Sequence, residues 1–374
     1  MAADVDPLPR WVARALDAVL DRVAATRAQV GDRFPLFADP VDGRWKTTGR
    51  GSWTGGFWAG LLWLRARHTG NGADHAAAVR CTGRLAHWVH ADTATRGLIF
   101  WYGTLFADTS ESAALRARAA QACRASYDAD LELVPWGGEF GGPRLMARVD
   151  GVPGMVPLLA TTDARAAESH LRRHVELTQD QRALHWSHRW ESGSWSPCAE
   201  PPPGWSRGPA WLLLAASEGV RHLGSHTVDL NRLDLCRLGI PDLGAPGLGT
   251  DTAQLAYTAG ELQDPAPSSP SPSPSPSSPM AHIPLADKAH PTGPLDTSAA
   301  AITATALLGL GHRDHALAFL HELVHAHLQD DGRLLNGCYD HASGTATQHE
   351  LIWGDFFLAY ALALLTGLVG PGEG

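Results

Sequence analysis

Along this chain, stretches that are apolar on every face alternate with stretches that carry one apolar stripe. The all-apolar stretches share a build: a start rich in Gly, Asp or Trp runs straight into Ala, Leu and Trp. They are residues 53–70 (WTGGFWAGLLWLRARHTG), 150–161 (DGVPGMVPLLAT), 205–219 (WSRGPAWLLLAASEG), 296–311 (DTSAAAITATALLGLG) and 351–367 (LIWGDFFLAYALALLTG). A weaker copy, residues 96–108 (RGLIFWYGTLFAD), falls where the spacing asks for a sixth. Between them lie amphipathic segments, near residues 8–30, 73–91, 110–130, 163–175 and 313–328. Val12, Leu16, Val19, Leu20 and Val23 recur at helical spacing in the first of these. One more surface helix is expected near 228–238 or 252–262.

Helices that are apolar all round belong inside, and helices with one stripe belong outside. Six alternations therefore predict an all-α fold, an (α/α)6 barrel with an inner ring of helices wrapped by an outer one. Inner helices that run the same way place their N-terminal starts at one mouth, where free N–H groups and helix dipoles favour anions. The expected organisation is one catalytic domain over residues 1–374. Residues 265–279 (PAPSSPSPSPSPSSP) form a Pro/Ser-rich insertion that cannot hydrogen-bond into a helix and reads as a disordered surface loop. Residues 131–148, with Pro135, Trp136 and four glycines, read as a loop arching over the mouth.

Composition adds exclusions. The 374 residues are 44% hydrophobic and 18% charged, a globular balance. No basic start leads into an apolar run, so no secretory signal is expected, and apolar stretches break well before the ~18 residues of a membrane span. Five scattered cysteines without a CxxC pair indicate neither a disulfide framework nor a structural zinc site. These features predict a cytoplasmic protein, a monomer or homodimer, with no cofactor. A net charge of −9 without basic clusters argues against a nucleic acid partner. Fourteen Trp against five Tyr points toward sugars, because indole faces stack on sugar rings, although most of these Trp should be packing.

The words WTGGFWAGLLWL, DGVPGMVPLLA, WSRGPAW, DTSAAAI and LIWGDFFLAYAL, in this order from residue 53 to 364, resemble the unsaturated glucuronyl hydrolases of glycoside hydrolase family 88. They also resemble the related unsaturated rhamnogalacturonyl hydrolases of family 105. The resemblance implies an (α/α)6 barrel acting on an acidic sugar, an oligosaccharide whose terminal uronic acid carries a C4=C5 double bond. The chemistry it implies is hydration of that vinyl ether, with one carboxyl group as acid and then base. Asp150 matches the catalytic carboxylate, and burial among apolar groups would raise its pKa in the direction needed. An Asp before a helix is equally a capping residue. Arg207 and Trp211 share a helix face and match residues that bind the uronate and stack on the sugar. Trp53, Trp58 and Trp136 match aromatic pocket walls, with core packing as the competing role. His188, with His185 in HWSHRW, stands in the region of a sugar-binding histidine, but SPCAEPPPG before WSRG offers no histidine close to the family's position.

One departure bears on the chemistry. Where the family opens its second inner helix with His-Asp, this chain has Arg96 and Gly97. Asp92 or Glu139 would have to replace the missing carboxylate. The gain of Arg96 keeps open a lyase reading, with Tyr102 or His188 as base and Arg96 or Arg207 neutralising the uronate, and also a repurposed sugar-binding barrel. HELVH at residues 321–325 fits the zinc-peptidase spacing HExxH, but it falls on an outer helix with no third ligand after it, so no metal is expected.

Overall fold

The computed structural model describes residues 8–179, 184–224, 282–370 and 372. Six inner elements close a ring. They are α2 (Gly55–Thr69), a π-helical turn (Gly97–Trp101) running into α4 (Tyr102–Thr104), α6 (Met155–Ala160), α8 (Arg207–Leu223), α9 (Thr297–Gly309) and α11 (Ile352–Thr366). Each packs on the next, and α11 returns to α2. Outside them, α1 (Arg10–Val30) covers α11 and α2, and α3 (Gly72–Gly83) covers α2. The helix α5 (Ser110–Ala125) lies over α6, α7 (Ala164–Gln179) over α6 and α8, and α10 (Arg313–Glu322) over α9. The fold is the (α/α)6 barrel that the alternation predicts. The expected fifth outer helix and the Pro/Ser insertion lie outside the described residues.

The sequence explains the ring. Every residue from Ile352 to Ala363 is buried, as is every residue from Arg207 to Gly219, whereas α1 buries only its stripe. Close approach is set by glycine. A Cβ on Gly56 would lie 2.3 Å from the Leu98 carbonyl oxygen, so only hydrogen lets α2 meet the π turn. Charge also ties the rings together. Arg22 of α1 donates through Nε and Nη2 to Glu350 at 2.8 and 2.7 Å, and Glu350 is fully buried beside Asp355. Burial, and then the negative Glu350, push the Asp355 carboxyl well above its usual range.

Two short sheets depart from the all-helical expectation. In the first, β1 (Phe34–Ala38) pairs antiparallel with β2 (Trp45–Thr48) and with β6 (Glu350–Leu351). The second joins β3 (Met146–Arg148), β4 (Ser187–Glu191) and β5 (Ser194–Pro197), with Arg148 opposite Ser187 and Ala147 opposite His188. The mouth loop thus ends in a strand, and HWSHRW becomes its partner. Strands this short leave little periodic signal. No described helix is long and apolar enough to cross a membrane.

Candidate active site

The starts of the inner helices meet, as a shared mouth requires. Ser206 and Arg207, at the start of α8, bond to Asp296 at the start of α9. Trp53, just before α2, lies 5.0 Å from Trp353 at the start of α11. The Arg207 guanidinium stands 5.7 Å from the Trp353 ring. Asp296 is the helix cap here, accepting from the Ser298 N–H at 3.2 Å.

Asp150 is placed differently from the expected helix start. It lies in a tight turn, Val149–Gly151, and α6 begins only after Gly154, whose φ of +71° is the left-handed conformation glycine adopts without strain. Its carboxylate caps nothing. Oδ1 accepts from Nε of Arg148 at 2.8 Å and Oδ2 from Nη2 at 3.0 Å, a side-on, two-bonded pair. The side chains remain 26% and 17% exposed, so the pair is reachable from solvent. The Arg148 guanidinium also lies 4.8 Å over Trp136, whose Nε1 donates to the Gly141 carbonyl at 3.2 Å. Trp136 is buried, with its edge against Gly151.

Behind this pair stand imidazoles. His174 of α7 is close enough for Asp150 to act on it electrostatically, but burial dominates and lowers its pKa to about 4. His188 on β4 is likewise lowered to about 4, by burial first and then by His185 and His174. Both rings are therefore neutral at pH 7. His188 Nε2 and His185 Nδ1 are buried and have no hydrogen-bond partner among the described residues.

The remaining sequence candidates go elsewhere. Arg207 is buried, and both its terminal nitrogens donate: Nη1 to Asp296 and to the Cys338 carbonyl, and Nη2 to the Tyr339 carbonyl at 2.8 Å. Trp211 is 1% exposed, between Phe57 and Phe357, and Trp58 is 2% exposed. Both indoles are packed in the core, whereas Trp53 is half-buried at the mouth. Arg96 is buried and donates to the carbonyls of Thr93 and Val89 at 3.0 and 3.2 Å. Tyr102 is buried and donates to Glu218 at 2.5 Å, and burial followed by the adjacent Glu218 raises its pKa well above the ordinary value. A base role for Tyr102 is at odds with that setting.

At position 97, where the resemblance implies an acidic residue, the structure leaves no room for a side chain. A Cβ on Gly97 would lie 2.3 Å from the Met155 nitrogen and 2.8 Å from the Gly154 carbonyl carbon, so the backbone entering α6 occupies the space of a side chain. Neither proposed replacement is free. Asp92 accepts from Arg144 at 2.8 Å and from the Gly138 N–H at 3.1 Å, and these bonds outweigh partial burial to hold its carboxyl below the usual range. Glu139 faces Arg50 at 3.8 Å.

Sequence reading passed over three side chains that the structure makes prominent. Arg148 was masked inside a presumed loop, and His174 by its place on an amphipathic outer helix. Glu218 is buried near the end of α8, where it accepts from Tyr102 and from the Gly154 N–H at 2.7 Å. Burial raises it to about 7 against the pull of those donors. In HELVH, the His321 and His325 rings stack at 4.0 Å beside Trp11, and Glu322 bonds to His282. No group of three His, Cys, Asp or Glu that could hold a metal ion occurs among the described residues.

No protein-family model and no curated protein sequence match this chain. Solved structures do. An unsaturated glucuronyl hydrolase from Bacillus sp. GL1, described as responsible for the degradation of glycosaminoglycan, superposes with a TM-score of 0.74 at 21% identity, covering 95% of this chain and 96% of its own. One described as specific for heparin gives 0.74 at 16% identity over 96% and 97%. The enzyme from Streptococcus agalactiae gives 0.72 at 15% identity over 96% and 92%. Over nearly its whole length, this chain has the fold of the unsaturated glucuronyl hydrolases.

Proposed function

We propose that the protein is a glycoside hydrolase acting on oligosaccharides or glycosides that end in an unsaturated uronic acid, with Asp150 as its acid and base. The observation that carries this reading is the position of Asp150. Within a barrel of the unsaturated glucuronyl hydrolase fold, its carboxylate is partly open to solvent at the mouth, between Arg148, Trp136 and neutral histidines. One solved relative was captured with dGlcA-GalNAc6S, an acidic disaccharide, and the arginine and indole beside Asp150 suit such a ligand.

In the proposed reaction, Asp150 delivers a proton to C4 of the C4=C5 bond. Positive charge develops at C5 and the ring oxygen, and water adds at C5 while the carboxylate accepts its proton back. The resulting hemiketal opens, and the hemiacetal left at C1 expels the adjoining sugar. One carboxyl suffices for both proton transfers because it is regenerated in each turnover. Gly97 offers no second carboxylate, so orientation of water falls to groups already at the mouth, His188 among them. Trp53 and Trp136 are proposed as walls of the sugar site. Trp58 and Trp211 would support those walls from the core, and Arg207 would hold the rim together through Asp296.

Elimination would need a base and a cation at the uronate, and the structure weakens Tyr102, Arg96 and Arg207 for these roles: Tyr102 is buried and donates its hydroxyl to Glu218, and Arg96 and Arg207 donate to carbonyls and to Asp296. Hydration consumes the ultraviolet absorbance of the unsaturated uronide, and elimination creates it. A panel of unsaturated disaccharides should therefore lose absorbance with the wild-type protein. Asp150→Asn should lower the rate by about 10²- to 10⁴-fold, the usual worth of a general acid-base group, with the circular dichroism unchanged. Activity that survives this substitution would overturn the assignment.

A further inference from the structure

A guanidinium has two edges that can each take a carboxylate through two hydrogen bonds: the side edge, Nε with Nη2, and the end, Nη1 with Nη2. Arg148 uses only the first, for Asp150. Its Nη1 makes no hydrogen bond among the described residues, and its side chain is 26% exposed. Arg207, which the sequence favoured as the uronate-binding arginine, has its end edge spent on Asp296 and two carbonyls.

We propose that Arg148 is the receptor for the carboxylate of the acidic sugar, holding Asp150 with its side edge and the substrate with its end edge. This rests on the reading of the mouth as a uronide site and names the residue that makes it selective for acids. The planar fork then sets the distance between the substrate carboxylate and Asp150. Trp136 lies against the guanidinium at 4.8 Å and, with the two bonds to Asp150, restricts its movement.

The negative groups around Arg148 are Asp150 first and then Glu200 on the segment after β5, and His174 faces Asp150 from α7. A second carboxylate on the same guanidinium would share its positive charge with Asp150.

Binding tests this apart from turnover. A saturated glucuronyl disaccharide, which has no double bond to hydrate, and its carboxyl methyl ester would be titrated calorimetrically into the full chain. The wild-type protein should bind the acid at least tenfold more tightly than the ester, and Arg148→Gln should bind both at the ester's level. Arg148→Lys, which keeps the charge without the fork, should retain only part of the preference. Equal affinity of the wild type for acid and ester would overturn the proposal without any variant, and so would an intact preference in Arg148→Gln. If the hydration reading alone fails, the acid preference remains while absorbance of unsaturated disaccharides stays constant, so the two failures are distinguishable.

Discussion

Two arginine-aspartate pairs stand at the mouth of this barrel, and they are built for different work. Arg207 and Asp296 join the starts of α8 and α9, with side-chain exposures of 10% and 0%, and further bonds run to the Ser298 N–H and to the carbonyls of Cys338 and Tyr339. Arg148 and Asp150 lie two residues apart at the end of β3, exposed by 26% and 17%, and Nη1 of Arg148 makes no hydrogen bond among the described residues. A buried pair with both terminal nitrogens of its arginine engaged organises structure, because leaving either charge alone in that setting is costly. A half-open pair contributes little to stability but keeps a charge where a ligand can reach it. Identical residue types thus divide into a rim tie and a proposed reaction centre according to burial.

The sharpest way to break this contrast is to remove each arginine in turn. Arg207→Ala should destabilise the fold by about 3–5 kcal/mol, since Asp296 is left charged and buried, whereas Arg148→Ala should cost about 1 kcal/mol or less. Urea unfolding of the two variants measures the difference, and comparable losses would erase the distinction.

Glu218 extends the comparison to a buried carboxyl held by neutral donors. Its folded pKa of about 7 lies above the ordinary 4.5, so between these values the folded state keeps a proton that the unfolded chain has released. Stability from this group is present below pH 4.5 and is lost as the pH rises toward 7, by up to ~3 kcal/mol. The depressed histidines, His174, His188 and His222, act in the opposite sense: their contribution is present above about 6.5 and is lost as the pH falls toward 4. The difference between wild type and Glu218→Gln in stability measured across pH 4 to 8 isolates the first effect. A flat difference curve would contradict the buried, protonated carboxyl.

A smaller effect tests the close packing at Gly97. Gly97→Ala should destabilise by about 1–3 kcal/mol, because the new methyl meets the backbone of Gly154 and Met155, which cannot rotate aside. Gly97→Asp, which restores the residue type the family uses, should therefore fail to raise activity. Thermal unfolding and the absorbance assay check the pair of variants together.

Legibility in the sequence followed the range of the interactions involved. The inner helices were readable because α8, α9 and α11 are apolar on all sides, and α1 because its stripe repeats. The strands β3 and β4 were not, since a few residues of mixed polarity have no period. Asp150 and Arg207 stood out through their surrounding words, but those words do not say what each carboxylate or guanidinium touches. Arg148 lay two residues from Asp150 and carried no signal of its own, because its importance comes from the bend at Val149–Gly151 that folds one side chain back on the other.

The pattern of apolar and polar positions by itself determined that helices alternate inside and outside a ring, because burial of a helix depends on its own faces. The resemblance of the chain's motifs, and not this pattern, implied that Gly97 stands where an acidic residue is expected. Only the tertiary structure decided that Gly97 is sealed by the backbone of α6, that Arg207 is spent on Asp296, and that Arg148 turns its side edge to Asp150. Those outcomes depend on which distant segments arrive at the same few ångströms, and a linear pattern carries no such distances.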